Sequence, residues 1–585
     1  MNTHSETVDQ LRDFTASPRI LVLAALSAAI GSFGAGAAWL LLKLIALVTN
    51  FAYFGTLSAT PVGFLGTTLQ PWTIAIPVIG SLIIGLMARY GSEKIRGHGI
   101  PEAIEAILIG QSRIQLKVAL LKPVSSAISI GTGGPFGAEG PIIMTGGAIG
   151  SLVAQIFHLT SAERKTLLVA GAVAGMTAVF GTPIAAVLLA VELLLFEWKP
   201  RSFIPVTVAA LVALAWRPVL ISSGPLFAYA GVPQMPWWGL SLCLLAGVVA
   251  GLQSALMTVC LYGVEDLFRK LPIHWMWWPA LGGLAVGIGG LIDPAALGVG
   301  YDDIRALLAG NLALDALLLL LAVKTAIWIV ALSSGTSGGV LAPLLIMGGA
   351  LGGVAAHWMP FGDAGFWALI GMAAILGGTM RAPLTATLFA VELTGNYHFL
   401  PALLCASVGG FALTVLVMPR SILTERIARR GLHLSREYRV DPFDVMRVGE
   451  IMAQPADTLP AAMTVAEAVA FYEAGERHKS YPVIAPEGRL LGLVSRGDVL
   501  RWTRGSAGPD ETLGELCKEV AAAYPDEMSG ALADRMAAGR YSRVPVIARG
   551  TGVLVGLVTR RELLRVRAMA LHAEEHRHGA VKLPG

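Results

Sequence analysis

Gly140-Pro-Ile-Ile-Met-Thr-Gly-Gly-Ala-Ile-Gly150 returns later in the chain as Ala342-Pro-Leu-Leu-Ile-Met-Gly-Gly-Ala-Leu-Gly352. A second echo follows in the same order. Thr182-Pro-Ile-Ala-Ala-Val-Leu-Leu-Ala-Val-Glu192 lines up with Ala382-Pro-Leu-Thr-Ala-Thr-Leu-Phe-Ala-Val-Glu392. Two matches at nearly one offset define an internal repeat, an organisation common in transporters, whose substrate sites lie where the halves meet. The pattern alone leaves open whether the halves are inverted.

Around the repeat the composition points to lipid. The chain has 585 residues, 55% hydrophobic and only 14% charged, with a mean hydropathy of +0.67. Soluble domains carry nearer a quarter charged residues. No Asp, Glu, Lys or Arg occurs in 140–162, 166–191, 271–292, 325–362 or 393–419, and Arg217 stands alone in 202–264. Each stretch is long enough to cross the hydrocarbon layer as a helix, which takes about 20 apolar residues. Many are broken by Gly or Pro, and broken ends inside a membrane must face protein or a water-filled cavity. Close helix packing accounts for many of the 68 glycines.

A net charge of +4 is too small for this length to suggest nucleic acid. Positive residues instead cluster between apolar runs, at Arg89–Arg96, Arg113–Lys122, Arg164 and Lys165, Lys199 and Arg201, and Arg420–Arg430. Some of these clusters are expected to mark the cytoplasmic side. Cys243, Cys260, Cys405 and Cys517 have no metal spacing and imply no disulfide framework. The polar start, 1–17, has no signal-peptide pattern and reads as a cytoplasmic tail.

Composition changes once, near Arg430. A membrane domain is expected over 18–430, with repeats of about 18–220 and 235–430. A linker (431–447), a soluble region (448–567) and a polar tail (568–585) follow. The soluble region repeats as well: Tyr481-Pro-Val-Ile precedes Gly492-Leu-Val-Ser-Arg-Gly-Asp498, and Val544-Pro-Val-Ile precedes Gly556-Leu-Val-Thr-Arg-Arg-Glu562. Each copy reads as two short strands and a helix, preceded by a helical stretch (Thr464–Ala474, Ser529–Ala538). This resembles a tandem pair of CBS domains, about 448–505 and 513–567.

Three glycine-rich segments carry the chemistry: Gly97-His98-Gly99-Ile100-Pro101, Gly137-Ala138-Glu139-Gly140-Pro141 and Gly339-Val340-Leu341-Ala342-Pro343. Each ends in Pro, favoured at the first helical position because its missing N–H is orphaned there anyway. A helix N-terminus offers free amides and partial positive charge, which suits an anion. Several such ends aimed at one point bind a halide without any fixed Lys or Arg, weakly enough to let it leave.

In order and spacing these segments resemble the GSGIP, GREGP and GxFxP signatures of the CLC chloride channel and transporter family. With the repeat and the CBS pair, the resemblance covers almost the whole chain. It implies a mostly α polytopic fold built from two inverted repeats of broken helices, plus a cytoplasmic α/β CBS pair. It also implies a homodimer with one anion pathway per subunit. Backbone amides around Val340 and Leu341 would line the central anion site, and those of 137–139 the outer one.

Glu139 matches the family's gating glutamate. As an anion it competes with chloride for the helix ends; protonation neutralises and releases it. Intramembrane acids are functional candidates by default. Several positions depart from the family pattern. His98 stands where Ser is common, and either contacts the anion or points away. Leu423 stands at the pore tyrosine, Leu341 at a Phe and Ala138 at an Arg. Leu193 occupies the inner proton-glutamate position. Neighbouring Glu192 has a repeat mate, Glu392, which favours a structural role for both.

Leu193 tilts the expectation toward passive, gated conduction of chloride or a similar small anion. The alternative is a proton-coupled chloride antiporter. In the CBS pair, Ser495, Asp498 and Thr559 fit a pattern that holds an adenine nucleotide, against a purely packing role; no other cofactor and no metal is expected. Rival classes are a membrane zinc protease and a CBS-bearing cation channel. The first rests on His572-Ala-Glu-Glu-His576 in the polar tail. The second lacks acid rings, since Glu139 is the only acid in the glycine-rich motif cores. An integral protein of the plasma or inner membrane is therefore expected, with N-terminus and CBS pair cytoplasmic.

Overall fold

The computed structural model describes residues 18–108, 110–231, 235–432, 443, 446–475, 478–518 and 520–568. The 1–17 tail, most of the linker and the His572–His576 pattern lie outside the described residues. The chain divides into two units, Met1–Glu437 and Tyr438–Gly585.

The first unit is helical throughout. Its helices are α1 (Arg19–Phe54), α2 (Ala75–Leu86), α3 (Ile100–Leu108), α4 (Leu116–Gly131), α5 (Glu139–Ile156), α6 (Ser161–Phe180), α7 (Pro183–Leu189) and α8 (Pro200–Leu220). The second half continues with α9 (Gly239–Arg269), α10 (Trp278–Ile292), α11 (Tyr301–Ala309), α12 (Leu314–Ser333), α13 (Leu341–Ala356), α14 (Ala364–Met380), α15 (Pro383–Thr394), α16 (Leu400–Val417) and the short α17 (Ile422–Ala428). Seven described helical segments are long and apolar enough to cross a membrane. The charge-free stretches do not each make one span, contrary to expectation. Residues 166–191 turn at Gly181 between α6 and α7, and 325–362 break between α12 and α13.

Each helix of the first half has a counterpart in the second, and the pairs pack alike: α5 on α6 as α13 on α14, α1 on α8 as α9 on α16. The glycines explain the closeness. A Cβ on Gly146 or Gly171 would overlap the other's carbonyl, and Gly348 and Gly371 meet in the same way. Lipid provides no hydrophobic drive between helices, so small residues that let backbones touch do the holding.

One exchange of contacts fixes how the halves are related. Glu192, just beyond α7, accepts from the N–H of Thr385 at 2.9 Å and from its hydroxyl at 2.6 Å, in the first turn of α15. Glu392, near the end of α15, accepts from the N–H groups of Ile184 (3.0 Å) and Ala185 (2.8 Å) in the first turn of α7. Two packed helices whose C-terminal ends each meet the other's N-terminus run antiparallel. Because α7 and α15 are counterparts, the repeats are inverted.

The two halves solve one backbone problem differently. Arg381 has φ 55°, a left-handed conformation unusual without glycine. Its guanidinium donates to the carbonyls of Thr414 (2.7 Å) and Met418 (2.5 Å), closing the end of α16. In the first half that position is Gly181, and Arg217 of α8 supplies the guanidinium instead, donating to Ser222 (2.9 Å) and Gly224 (2.6 Å).

In the second unit, β1 (Leu459–Pro460) pairs parallel with β2 (Ser480–Ile484), which pairs antiparallel with β3 (Leu490–Ser495). β4 (Arg543–Ile547) pairs antiparallel with β5 (Leu554–Thr559), and both hairpins carry a bulge at the same place. The copies face each other through reciprocal backbone bonds: Leu490 N–H donates to Gly552 and Leu554 N–H to Gly488, both at 3.0 Å.

Candidate anion site

The three glycine-rich segments meet backbone to backbone. Gly137 and Gly339 exchange N–H···O=C bonds of 3.0 and 2.8 Å, joining the loop before α5 to the loop before α13. Gly97 pairs with the same region: its N–H donates to Thr336 at 2.9 Å, and Gly338 N–H donates to its carbonyl at 3.4 Å. A Cβ on Gly140 would overlap the carbonyl of His98, and one on Gly99 would stand 2.7 Å from the Gly140 carbonyl. Glycine is required here because three chain segments cross with no room between them.

Glu139 opens α5 and is fully buried. Its Oε1 accepts from the N–H of Ala342 at 3.0 Å, in the first turn of α13. Its Oε2 is buried without a hydrogen-bond partner. A Cβ on Gly137 would overlap this carboxylate, and one on Gly339 would come 2.5 Å from Oε2. The side chain of one half thus rests on the helix start of the other.

Two sequence expectations need correcting. The prolines do not hold the first helical positions: α3, α5 and α13 begin at Ile100, Glu139 and Leu341, so Pro101, Pro141 and Pro343 fall slightly later in the first turn. That turn also lacks acceptors for its N–H groups, so nothing is lost. Nor are all the filter amides open. Those of Gly97, Gly99, Gly137 and Gly339 already donate within the crossing, Gly99 to Glu102 Oε2 at 3.1 Å. The amides that follow, those of Ala138, Val340 and Leu341 among them, are not used in these bonds.

His98 is buried beside this crossing, with Nδ1 lacking a partner. Leu423 is buried in the first turn of α17, which packs on α3; nearby, the Tyr262 hydroxyl of α9 donates to the Ile422 carbonyl at 2.5 Å. Leu193 is fully buried. Glu192 is engaged by the first turn of α15, accepting from Thr385. Ser495, Asp498 and Thr559 serve as caps in the second unit. The Ser495 hydroxyl donates to Asp498 at 2.5 Å, and Thr559 makes the matching pair with Glu562.

The sequence reading missed Lys122. It falls in the basic cluster Arg113–Lys122 between apolar runs, yet it is fully buried in α4, donating to the carbonyls of Ile95 (2.8 Å) and Gly97 (2.7 Å) and to the Ser337 hydroxyl (3.0 Å). A lysine amine does stand behind the glycine crossing. A signal was available: Lys122 sits in an apolar helix and has a counterpart, Lys324, in the same place in α12.

The profile of the voltage gated chloride channel family matches residues 80–415. The chain belongs to the CLC family. The CBS domain profile matches 448–505 and 513–568. The H(+)/Cl(-) exchange transporter ClcA of Cronobacter sakazakii is 30% identical over 382 residues, covering 61% of this chain and 81% of that one. ClcA of Citrobacter koseri is 30% identical over 389 residues, covering 62% and 82%. Among solved structures, a eukaryotic CLC transporter aligns over 93% of this chain and 98% of its own at a TM-score of 0.57 and 20% identity. A slow cyanobacterial Cl-/H+ antiporter aligns over 71% and 99%, with a TM-score of 0.62 and 23% identity. The curated relatives are thus named as exchangers, which weighs against the passive conduction expected from Leu193.

The engaged geometry of Glu192 makes a testable statement. Glu192→Gln and Glu392→Gln should destabilise the protein similarly, each by about 1.5–3 kcal/mol for lost charge-assisted hydrogen bonds. Transport per folded protein should be unchanged in both. A Glu192→Gln protein of normal stability with altered ion coupling would contradict the structural assignment.

Proposed function

We propose that this CLC protein exchanges small anions, chloride foremost, for protons across the membrane, with Glu139 as the shared gate. The observation that carries the reading is the seat of the Glu139 carboxylate on the Ala342 amide, the place an anion would occupy. Ionised, the carboxylate is held by the N–H groups and partial positive charge of the α13 start. Protonated, it loses that attraction and yields the place to an anion. One carboxylate therefore alternates between carrying a proton and excluding an anion, which links the two flows.

Exchange is favoured over passive conduction by the ClcA relatives, named H(+)/Cl(-) exchangers and covered over about four fifths of their length. Leu193 then requires protons to reach Glu139 without an inner glutamate. Exposed Arg89, Arg113, Lys199, Arg201, Arg420 and Arg430 support placing the α3 start, the N-terminus and the CBS pair toward the cytoplasm. Operation as a homodimer, each subunit with its own pathway, rests on the family resemblance. The test is the reversal potential in bilayers under combined chloride and pH gradients. A pH-dependent shift is expected; a potential set by chloride alone would return the protein to the channel class.

A further inference from the structure

The two halves differ in how they treat the same pair of buried charges. The start of α3, Gly97-His-Gly-Ile-Pro-Glu102, corresponds to the start of α11, Gly298-Val-Gly-Tyr-Asp-Asp303. Each places a buried carboxylate in the first helical turn and a buried lysine on the next helix: Glu102 with Lys122, Asp303 with Lys324. Inversion puts the two clusters on opposite sides of the anion site.

In the first half both charges have partners, although Glu102 Oε1 meets its arginines as an ion pair without a hydrogen bond. Glu102 accepts from Gly99 N–H, and its Oε1 lies 3.2 Å from Arg426 and 3.6 Å from Arg430. Lys122 has three acceptors. Two guanidiniums and an amide hold that carboxylate ionised, and it acts as a brace.

The second half has no such arginines. Asp303 is 2% exposed, and its Oδ2 has no hydrogen-bond partner. Lys324 is fully buried and donates to one carbonyl, that of Gly298, at 3.1 Å. Both reach the space beside Gly300, where a Cβ would stand 2.7 Å from Oδ2 and 3.3 Å from Nζ. The neighbouring Tyr301 hydroxyl is also buried without a partner, and Tyr301 lies within electrostatic reach of Glu139. A cleft of about 280 Å³ runs along Gly298–Asp303 and reaches exposed Pro61 and Arg305. That volume holds several waters, at roughly 30 Å³ each.

We propose that Asp303 is the proton-exchanging group of this cleft, passing protons between cleft water and Glu139 through the Tyr301 hydroxyl. Asp303 takes a proton from water. The Tyr301 hydroxyl, which bonds neither carboxylate directly, receives that proton through cleft water and yields its own toward ionised Glu139. The net result is a neutral Glu139, an intact Tyr301 and an ionised Asp303. The other charges facing Asp303 are Lys324 from α12, Asp293 from the turn before α11, and Asp302 and Arg305 on α11, which pair at 2.6 Å. The helices α13 and α14, which pack on α11, contain no ionisable side chain. Lys324 balances the Asp303 carboxylate without bonding it, which leaves the carboxylate free to exchange its proton.

The proposal rests on the exchange reading of Glu139, and paired flux measurements separate the two. Full-length wild type, Asp303→Asn, Asp303→Glu and Tyr301→Phe are reconstituted in liposomes, and anion efflux and proton uptake are followed across pH. Asp303→Asn and Tyr301→Phe should slow exchange at least about tenfold, below the usual contribution of a positioned proton-transfer group. Their pH profile should flatten, while Asp303→Glu restores both rate and profile. If wild type moves no protons, the exchange reading fails and this proposal falls with it. If wild type exchanges protons but Asp303→Asn keeps the wild-type profile, at whatever rate, Asp303 is only the ion-pair partner of Lys324 and the proposal alone is overturned.

Discussion

Glu139→Gln is expected to transport anions with proton movement abolished and pH dependence lost. Glutamine keeps the size of the side chain, so the backbone crossing of Gly137, Gly140 and Gly339 around it stays packed. What changes is charge. A neutral amide can still accept from the Ala342 N–H but lacks the charge that holds a carboxylate at the α13 start, and it carries no titratable proton. The anion then competes against a weak occupant at every pH instead of against a carboxylate at high pH. The effect is qualitative: the proton-to-anion ratio falls to background while anion flux persists. Simultaneous recording of chloride and proton fluxes from liposomes checks it. A variant that still moves protons in proportion to chloride would remove Glu139 from the coupling.

Gly140→Ala has the other large expected effect. The added methyl would overlap the His98 carbonyl and approach the Gly339 Cα at 3.3 Å. Gly140 lies within α5, where alanine is conformationally better than glycine, so the substitution tests the crossing and not the helix. To relieve the overlap, the first glycine segment must shift away from the other two by something near an ångström. Displacements of that size at a working site cost on the order of a hundredfold in rate. Anion flux per reconstituted protein should fall accordingly, with the protein still extracted and folded. Near-normal flux would mean that the anion site does not depend on the tight meeting of these segments.

Much of this architecture was legible before any coordinates. That three helices begin at the glycine-rich runs follows from their closing Pro, although the starts fall one or two residues earlier than that Pro, and the repeat follows from Gly140–Gly150 matching Ala342–Gly352. The hairpins and caps of the second unit follow from the doubled Pro-Val-Ile and Gly-Leu-Val patterns. What stayed hidden depends on contacts between distant segments. Nothing local says that Glu192 and Glu392 exchange helix ends, so the inversion was only implied by family resemblance. Charge-free length was a poor guide to spans, because Gly181 and the 334–340 segment break the chain inside apolar runs. Lys122 looked like one more member of a basic cluster until its three acceptors were seen. The amides of Gly97, Gly99, Gly137 and Gly339 looked available until their partners came from other motifs.

The contrast between Glu102 and Asp303 belongs to the same class. Both are carboxylates in the first turn of a short helix, and sequence spacing treats them alike. Only the arrival of Arg426 and Arg430 at one and not the other separates a brace from a group free to titrate.

The central claim is that anion and proton flows are linked at Glu139. Its most direct test is proton transport driven by chloride alone. Wild-type protein is reconstituted in liposomes with an outward chloride gradient and no initial pH difference. The account predicts that protons enter against the gradient they build, with uptake that ceases when an ionophore collapses the chloride gradient and is missing in Glu139→Gln. Chloride efflux with no proton uptake in the wild type would contradict it.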